Sequence, residues 1–576
     1  MAGFSLLDEG WIPVRPLEGG AVRFVGLHEA LMQARTFERI DDPSPLVTVA
    51  LYRLCLAVLH RALRGPKDAA QAAEWYSSSF PYEAIQAYLD THADRFDLFH
   101  ETQPFMQVAD LTPELDGGKY LSHWTRLGTE VGSANTTALF NPAGRPGGER
   151  NDAISPAEAA RRLLEHQTFA LEGLIRRFAF RAEDAPVAES ALTLPQGRTL
   201  HETLCLNLVP YVAGDDAPAW EQPPLSAGTV QKLYEGGADL SCVVRGLTDH
   251  YSWVSRSVRL IPEEDATVRF IGFAAGIPFK NTLEETGKTV DPMVATVPSR
   301  NPKKPLPFPQ KLRREQLFWR DVLALLPEPQ NQREVVEKGK AAGQVIRVKG
   351  TPPASVYHAR EVLRALEEQG RSSGIGGSFD LDALDDASAS RYAYAQPVIP
   401  VSVFGQLISK DGTKVYSYRQ EGYTLPHAFV EDPQRFTDEV FTALEAAKHA
   451  GGGLKQAIRR LVTETLARGG EREPHKDDVN RLMDQLPAEA TFWARLEAPF
   501  RQYLAALDDS PTEAAAEWRR TLTRTAWNAW AFACQGVGEG AAALRAASLA
   551  GGLLASALKD LAPPPEEPRD RVPTAP

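Results

Sequence analysis

The stretch IPVSVFGQLISKDGTKVYSY, residues 399–418, is the last part of the chain with a strand pattern before the sequence becomes helical. Two strand-like runs, Ile399–Leu407 and Lys414–Tyr418, flank a polar segment that contains the pair Asp411-Gly412. An Asp-Gly pair between such runs is typical of a β-hairpin turn. The stretch therefore predicts a hairpin whose polar tip projects from a sheet, near the end of a mixed α/β region.

A similar pattern at the N-terminus predicts another hairpin. Two short apolar runs, Phe4–Leu7 and Trp11–Val14, flank a turn that contains Gly10. We expect these two runs to pair with each other across that turn.

From Pro426 onward the apolar residues recur with a helical period. Helices are predicted over residues 433–450, 454–468, 476–508 with a break, 511–534 and 539–561, and their short connections predict an antiparallel four-helix bundle. Gly451-Gly452-Gly453 is expected to kink or interrupt the first of them. The fold class is therefore α+β: a large mixed α/β domain (1–422), a helical bundle (423–562) and a proline-rich, disordered tail (563–576).

Composition limits the function classes. A chain of 576 residues is too long for one hydrophobic core, and its net charge of −12 argues against a free-standing nucleic-acid binder. No apolar run is long enough to span a membrane and no secretion signal opens the chain, so we expect a cytoplasmic protein without a membrane partner. The four cysteines contain no CxxC pair, which argues against a cysteine-based zinc site.

A long segment with no regular period precedes a well-marked helix start at Ser155-Pro156. It reads GSANTTALFNPAGRPGGERND and spans Gly132–Asp152. Loops of this length are either functional or disordered, and both interpretations stay open. Its candidate nucleic-acid contacts are polar donors and one aromatic side chain: Asn135, Phe140, Asn141, Arg145 and Arg150.

Positive charge is concentrated between Lys288 and Arg320, where eight basic residues face two acidic ones. We call this segment the basic strip, and Arg300, Lys303 and Lys304 are its candidate DNA contacts. In the bundle, Lys455 and Arg459 are predicted to belong to a positive face. On charge alone, a solvated charged face explains the basic strip equally well.

A different function class is a metal-dependent phosphodiesterase, for which the chain offers His100, Glu101, Asp249 and His250. These residues do not have the spacing of a known metal motif, and Pro104 ends any helix that could carry an HExxH arrangement. We expect no metal, no cofactor and no catalytic residue. A purely structural assembly subunit is a third hypothesis.

The chain resembles the CasA family, the large subunit of the type I-E CRISPR surveillance complex called Cascade. The resemblance covers nearly the whole chain. It rests on LLDEGWIPVRP (Leu6–Pro16), HETQPFMQ (His100–Gln107) and SANTTALFNP (Ser133–Pro142) followed by SPAEAARRLLEHQTFAL, and on the change from an α/β region to a helical bundle.

This resemblance implies a non-catalytic subunit that recognises a protospacer-adjacent motif (PAM) in double-stranded DNA, helps to open the duplex and docks a helicase-nuclease. The implied partners are the crRNA and the backbone, small and 5′-handle-binding subunits of the complex. The loop Gly132–Asp152 would reach the guide RNA end and the motif, and a lysine of the basic strip would contact DNA. A glycine-rich loop of the family maps near residues 181–190. The family's wedge hairpin maps to Ser409, Lys410, Asp411, Gly412 and Thr413.

The sequence departs from the family pattern in three places. Residues 181–190 contain no glycine, which puts a close backbone approach to DNA there in question. Only Cys242 is present where some family members carry a cysteine cluster, so no zinc is expected. The hairpin tip is Lys410-Asp411-Gly412 rather than a glutamine-bearing tip, so the rule for recognising the motif is expected to differ.

Overall fold

The structure is a computed structural model. It describes residues 3–112, 114–128, 153–173, 175, 177–178, 182–236, 242–279, 291–299, 306–327, 332–336, 345–372, 398–409, 412, 414–467, 473–559 and 561. Side chains are not described at residues 116, 332–336, 345–346 and 370–372. The predicted tail, 563–576, lies outside the described residues.

The chain forms two compact units. The N-terminal unit comprises Met1–Phe318 and Ala324–Tyr423, and the C-terminal unit comprises Trp319–Leu323 and Thr424–Pro576. The N-terminal unit mixes helices and strands and the C-terminal unit is helical, so the predicted fold class is confirmed.

Nine α-helices are described in the N-terminal unit. They are α1 (Leu27–Met32), α2 (Pro45–Leu63), α3 (Ala69–Ser77), α4 (Tyr82–Thr91), α5 (Pro156–Phe169), α6 (Leu200–Asn207), α7 (Ala227–Tyr234), α8 (Leu247–Tyr251) and α9 (Ala354–Ser372). Short 3₁₀ helices cover Ala34–Thr36, Ala93–Phe96, Leu115–Gly118, Trp124–Leu127 and Phe318–Leu325.

The described strands form small sheets. The strands are β1 (Ile12–Pro16), β2 (Arg23–Val25), β3 (Phe37–Ile40), β4 (Leu121–His123), β5 (Leu192–Pro195), β6 (Arg256–Pro262), β7 (Val268–Ala275), β8 (Thr296–Val297), β9 (Phe308–Pro309), β10 (Gln332–Val336), β11 (Val345–Lys349), β12 (Ile399–Ile408) and β13 (Val415–Leu425). Three sheets have three strands each, in the orders β2-β1-β3, β4-β7-β6 and β13-β12-β5, and β8-β9 and β10-β11 form pairs.

The N-terminal hairpin prediction is wrong. β1 pairs antiparallel with β2, with Ile12 opposite Val25, and with β3, with Val14 opposite Ile40. Ser5 instead forms a bridge with Asp97. The short-range pattern identified the strand β1 but paired it with the preceding run Phe4–Leu7 across Gly10. The strand that β1 pairs with on that side is β2, which follows it in the sequence.

Helix α2 is the core element of the N-terminal unit. Ser44 caps it by accepting a hydrogen bond from the Val47 amide, and Pro45 occupies the first turn. All residues from Leu46 to His60 are buried, because α2 packs against α4, α5, α8 and β12. A helix with apolar residues on every side, as here, is stable only when it is enclosed in this way.

A charged cluster is buried beside α2. The Arg53 guanidinium forms an ion pair with Asp291, and each side chain is only 1% exposed. His250 Nε2 lies 3.1 Å from the same carboxylate, and Arg53 also lies over the Tyr251 ring, 4.4 Å from its centroid. Although burial raises it, the pKa of Asp291 is held well below its ordinary value by Arg53 and His250. The cluster therefore keeps its charges paired within the core.

The C-terminal unit contains three long helices and several short ones among its described residues. They are α10 (His427–Glu431), α11 (Pro433–Ala467), α12 (Lys476–Gln485), α13 (Ala488–Arg495), α14 (Glu497–Ala506), α15 (Pro511–Val537) and α16 (Ala541–Lys559). α11 packs against both α15 and α16, and α15 packs against α13 and α14.

The expected interruption at Gly451-Gly452-Gly453 is wrong, because α11 continues through all three glycines. A Cβ atom at Gly451 would lie 2.4 Å from Cζ2 of Trp493, and one at Gly453 would lie 2.4 Å from Cβ of Ala557. Two of these glycines therefore allow neighbouring helices to approach closely, and that packing offsets their low helix propensity.

Two described helices are long and apolar enough to cross a membrane by length and composition alone: α2 and α16. The most apolar window of α2 is 83% buried and that of α16 is 28% buried. This is weak evidence for a membrane protein, because core helices of globular units meet the same criteria.

We predict that Asp291→Ala lowers the free energy of unfolding of the N-terminal unit by about 3–5 kcal/mol, because it leaves the Arg53 charge buried without its carboxylate. Urea denaturation followed by hydrogen exchange of the α2 amides measures this loss. The control is Glu368→Ala, which removes an exposed pair with Arg364 and is expected to cost less than about 1 kcal/mol. Losses of similar size in the two variants would contradict the cluster's structural role.

A second prediction concerns acid stability. Burial lowers the pKa of His60, His201 and His358 to about 4 and that of His166 to about 3. An unfolded histidine titrates near pH 6.5, so between pH 6.5 and 4 the unfolded chain binds protons that the folded chain does not. We therefore expect the free energy of unfolding to decrease as the pH is lowered across this window.

The variant His358→Gln tests this expectation. It removes one group that takes up a proton on unfolding. The slope of the free energy of unfolding against pH should therefore be smaller than in the unsubstituted chain, by up to about 1.4 kcal/mol per pH unit. Urea midpoints between pH 7.5 and pH 4.5 provide the measurement. An unchanged slope would show that His358 is not held neutral by burial.

Candidate nucleic-acid interface

Most of the predicted contact residues lie outside the described residues, and only four can be placed. Outside them are Asn135, Phe140, Asn141, Arg145, Arg150, Arg300, Lys303, Lys304, Lys410, Asp411 and Thr413. Described are Ser409, Gly412, Lys455 and Arg459.

The predicted hairpin at residues 399–418 is confirmed, with β12 and β13 as its neighbouring strands. Beyond the strand ends, the Ser409 amide donates to the Lys414 carbonyl (2.8 Å), and the Lys414 amide donates to Ser409 Oγ (3.0 Å). The Gly412 amide donates to the Ser409 carbonyl at 2.9 Å, and Gly412 has φ +73°. That left-handed conformation explains why the turn uses glycine.

Glu189 lies at this tip. A Cβ atom at Gly412 would lie 3.5 Å from Glu189 Oε1, and the Glu189 carboxylate also accepts a hydrogen bond from the Lys311 ammonium. Glu189 belongs to residues 181–190, near which the resemblance predicts a glycine-rich loop of the family, and Lys311 belongs to the basic strip. One carboxylate thus joins three regions that the sequence analysis had singled out separately. Neither Glu189 nor Lys311 was among the predicted contacts.

The segment around Glu189 is held by buried hydrogen bonds. Gln406 on β12 donates from Nε2 to the carbonyls of Phe169 (2.8 Å) and Ala188 (2.6 Å). The buried Arg256 guanidinium donates to the carbonyls of Glu183 (2.8 Å) and Leu171 (2.7 Å). Because these contacts fix the backbone, the glycine-free segment has a defined position beside the hairpin.

Asp184 contributes to the same anchoring. Its Oδ1 accepts a hydrogen bond from the Glu172 amide at 2.6 Å. Burial raises the pKa of Asp184 to about 6. The Asp184 carboxyl therefore accepts a hydrogen bond from the backbone within the unit. In this position it anchors the segment rather than contacting DNA.

An exposed pair next to the hairpin tip was not found by sequence reasoning. Arg314 of the basic strip lies over the Tyr416 ring, 4.8 Å from the centroid. Tyr416 is 52% exposed on β13. Strand alternation after the Asp-Gly turn could have placed Tyr416 on the outward face, but no local pattern links it to residue 314.

In the C-terminal unit, the predicted positive face is partly paired. Lys455 on α11 forms an ion pair with Glu489 on α13 at 3.1 Å, and Arg459 donates to Asn480 on α12 at 3.4 Å. These contacts connect neighbouring helices of the unit. Lys455 remains half exposed, so its role in binding nucleic acid stays a prediction.

The residues of the phosphodiesterase hypothesis have separate structural partners. His100 Nδ1 accepts hydrogen bonds from the Thr102 and Gln103 amides, at 3.3 and 3.0 Å. Asp249, whose pKa burial raises, accepts hydrogen bonds from Gln222 and the Arg245 amide. Within the described ranges, no group of three His, Cys, Asp or Glu side chains is placed to hold a metal ion.

The HETQPFMQ motif has a packing role. Gln107 Nε2 donates to the Leu98 carbonyl at 2.8 Å, and its Oε1 accepts from the Leu260 amide at 2.7 Å, which attaches the motif to β6. Residues of the motif line one wall of a cavity of about 410 Å³, together with Arg95 and Trp253.

The comparisons with known proteins agree with one another. The sequence matches the family of CRISPR-associated protein Cse1 over residues 5–529. It is 37% identical over 549 residues to the CRISPR-associated protein CasA/Cse1 of Thermus thermophilus, which covers 94% of this chain and 95% of that protein.

Solved structures show the same similarity. The crystal structure of Thermus thermophilus CasA matches with a TM-score of 0.77 and 33% identity, over 97% of this chain and 100% of that chain. Cse1 from Acidimicrobium ferrooxidans matches with a TM-score of 0.71 and 25% identity, over 98% and 100%. A chain of a structure described as a CRISPR RNA-guided surveillance complex shares the fold, with a TM-score of 0.62 and 19% identity over 96% and 100%.

The family match spans most of the chain, and the identity to the Thermus relative extends over nearly the full length of both proteins. The chain therefore belongs to the CRISPR-associated Cse1 family.

Proposed function

We propose that this chain is the large subunit of a type I-E RNA-guided surveillance complex, Cascade. Its partners are the crRNA, the backbone, small and 5′-handle-binding subunits, and double-stranded target DNA. Membership of the Cse1 family supports this assignment, as does the shared fold with a chain of a CRISPR RNA-guided surveillance complex. The complex acts in the cytoplasm, and the free state of the four cysteines suits a reducing compartment.

Within the complex, the subunit recognises the PAM and helps to open the duplex beside it. The observation that carries this proposal is the meeting of the hairpin tip, the Glu189 segment and Lys311 of the basic strip at one place. A guide RNA reads its target by base pairing, so the protein needs to read only a short motif and the shape of the duplex. Several short elements close together are suited to that task.

The chemistry of the tip suits duplex opening. A polar hairpin that enters the base stack costs a few kcal/mol of unstacking, and contacts with the separated strands offset that cost. The tip follows β12, which is buried along most of its length, so the hairpin is anchored in the sheet. Recognition through the minor groove would tolerate several motifs, because that groove presents a degenerate pattern.

Charge explains why the subunit depends on its partners. A net charge of −12 repels the phosphate backbone, and the Glu189 carboxylate already pairs with Lys311. The remaining charge of the basic strip contacts DNA only where other subunits hold the duplex in place. The isolated chain should therefore bind DNA weakly.

The subunit is non-catalytic and recruits a helicase-nuclease that degrades the opened target. The described partners of His100, Asp249 and His250 are turn amides, Gln222 and Asp291, which gives each residue a structural role. Nothing in those contacts favours the phosphodiesterase alternative. A purely structural assembly subunit would not need the exposed Lys414 beside the hairpin tip, which favours the DNA-binding proposal.

We predict that Lys410→Ala, and separately the double change Lys303→Ala/Lys304→Ala, weakens binding of motif-bearing duplex to the assembled complex by about 10-fold. Each lost phosphate contact should also reduce the slope of log affinity against log salt by about 0.9. Equilibrium binding at several salt concentrations measures both effects. A duplex with a preformed bubble beside the motif should lose less affinity with Lys410→Ala, since its strands are already separated.

The matched control is Lys232→Ala, which removes the same charge from an exposed position on α7. It should leave affinity and salt dependence unchanged. If the hairpin and strip variants behaved like this control in complexes of normal composition, the assigned interface would be incorrect.

A further inference from the structure

The outward face of β13 continues from the hairpin tip as a row of polar and aromatic side chains. β13 is an edge strand in the order β13-β12-β5, and its side chains alternate between the two faces of the sheet. Lys414, Tyr416, Tyr418 and Gln420 share one face, and all but Tyr418 are exposed. Val415, Glu421 and Tyr423 on the other face are buried. The row therefore lies open beside the tip.

Hydrogen bonds hold the loop that carries Arg314 next to this row. The Arg419 guanidinium donates to the Gln316 carbonyl at 3.1 Å and to the Glu421 carboxylate at 3.1 Å. Glu421 also accepts a hydrogen bond from the Phe318 amide at 2.9 Å, which fixes the chain just after this loop. These contacts place Arg314 over Tyr416 from a separate part of the chain.

We propose that Tyr416 and Arg314 form a binding site for an unpaired nucleotide of one of the DNA strands that the hairpin separates. The base stacks on the Arg314–Tyr416 pair, and the guanidinium contacts the phosphate next to it. This inference rests on the proposed function and extends it to a specific residue pair. No residue of the pair was among the contacts expected from the sequence.

The position and chemistry of the pair support this ligand. Tyr416 follows Lys414 by two residues, about 7 Å along the strand, which corresponds to roughly two base-pair rises of 3.4 Å. Unpaired bases bind to aromatic side chains and to arginine planes with little sequence preference. Lys414 and Arg313 are exposed near the pair, as is the acidic Glu315. Together with Arg314 the basic residues outnumber that carboxylate, so the surface is basic within an otherwise acidic chain.

A pair of this kind can also serve only to stabilise an edge strand, and the chain contains a matched example. Arg161 lies over the Phe24 ring, 5.0 Å from the centroid, and Phe24 is 53% exposed on the edge strand β2. Phe24 belongs to a different sheet and lies far from the hairpin in sequence. Phe24→Ala is therefore a control that removes an aromatic ring of similar exposed fraction without touching the hairpin.

The experiment uses the assembled complex and a motif-bearing duplex that is pre-opened beside the motif, with 2-aminopurine placed in turn at the first four unpaired positions of each strand. Stacking of the base on the protein quenches its fluorescence relative to free single strand. With the unsubstituted chain, we expect quenching at one or two of these positions. Tyr416→Ala should remove it and weaken binding of the pre-opened duplex by about 10-fold.

Companion variants separate stacking from folding. Tyr416→Phe keeps the ring and should keep the quenching, whereas Arg314→Gln should lower the salt slope by about 0.9. Phe24→Ala should change neither readout. If Tyr416→Ala matched Phe24→Ala in quenching and affinity, the proposed site would be overturned. That result would leave the proposed function intact. The proposed function itself would fail if the unsubstituted complex did not bind motif-bearing duplex.

Discussion

The buried side-chain amide of Gln406 connects the parts of the N-terminal unit on which the proposed function depends. Its Nε2 donates to the carbonyl of Phe169, at the end of α5, and to that of Ala188, in the segment beside the hairpin. Gln406 is 3% exposed, and these two bonds bridge 237 and 218 residues of sequence. Because the donors and acceptors are buried, breaking either bond leaves a polar group unpaired, at a cost of about 1–3 kcal/mol. The hairpin, the Glu189 segment and α5 are therefore fixed relative to one another.

This constraint bears on the segment near which the resemblance places a glycine-rich loop of the family. A flexible loop approaches a ligand through backbone freedom, whereas residues 182–190 are held by Gln406, Arg256 and Asp184. Rigid positioning keeps the Glu189 carboxylate beside Gly412 and Lys311. An interface that is already ordered does not lose that ordering entropy when it binds. The acidic Glu189 lies at this proposed interface, so we expect a preference among motif sequences that differs from that of the family.

The sequence contained much of the fold, and the exceptions have physical reasons. Alternation and the Asp-Gly pair located the hairpin of β12 and β13, and helical periodicity located the C-terminal helices, because both patterns are local. Gly451 and Gly453 were misjudged because their role depends on Trp493 and Ala557, which are distant in sequence. The partners of β1 were missed for a different reason: β2 is close in sequence, but the apolar run Phe4–Leu7 before Gly10 fits the same local hairpin pattern.

The candidate site was less predictable than the fold. Ser409 and Gly412 were found from the turn signature, but the pairing of Glu189 with Lys311 spans 122 residues and has no local pattern. Arg314 and Tyr416 are 102 positions apart in the sequence and meet where Arg419 hydrogen-bonds to the loop that carries Arg314. Contacts of this kind follow from packing and become visible only in three dimensions.

Contact between the hairpin tip and target DNA at the motif is the central claim. The most direct measurement replaces Lys414, exposed beside the tip, with a photoreactive amino acid and maps its crosslinks in the assembled complex bound to motif-bearing duplex. We expect crosslinks within a few nucleotides of the motif from position 414, and none there from the same substitution at Lys232 on α7. If position 414 gave no motif-proximal crosslink while the complex bound its target normally, the claim would be contradicted.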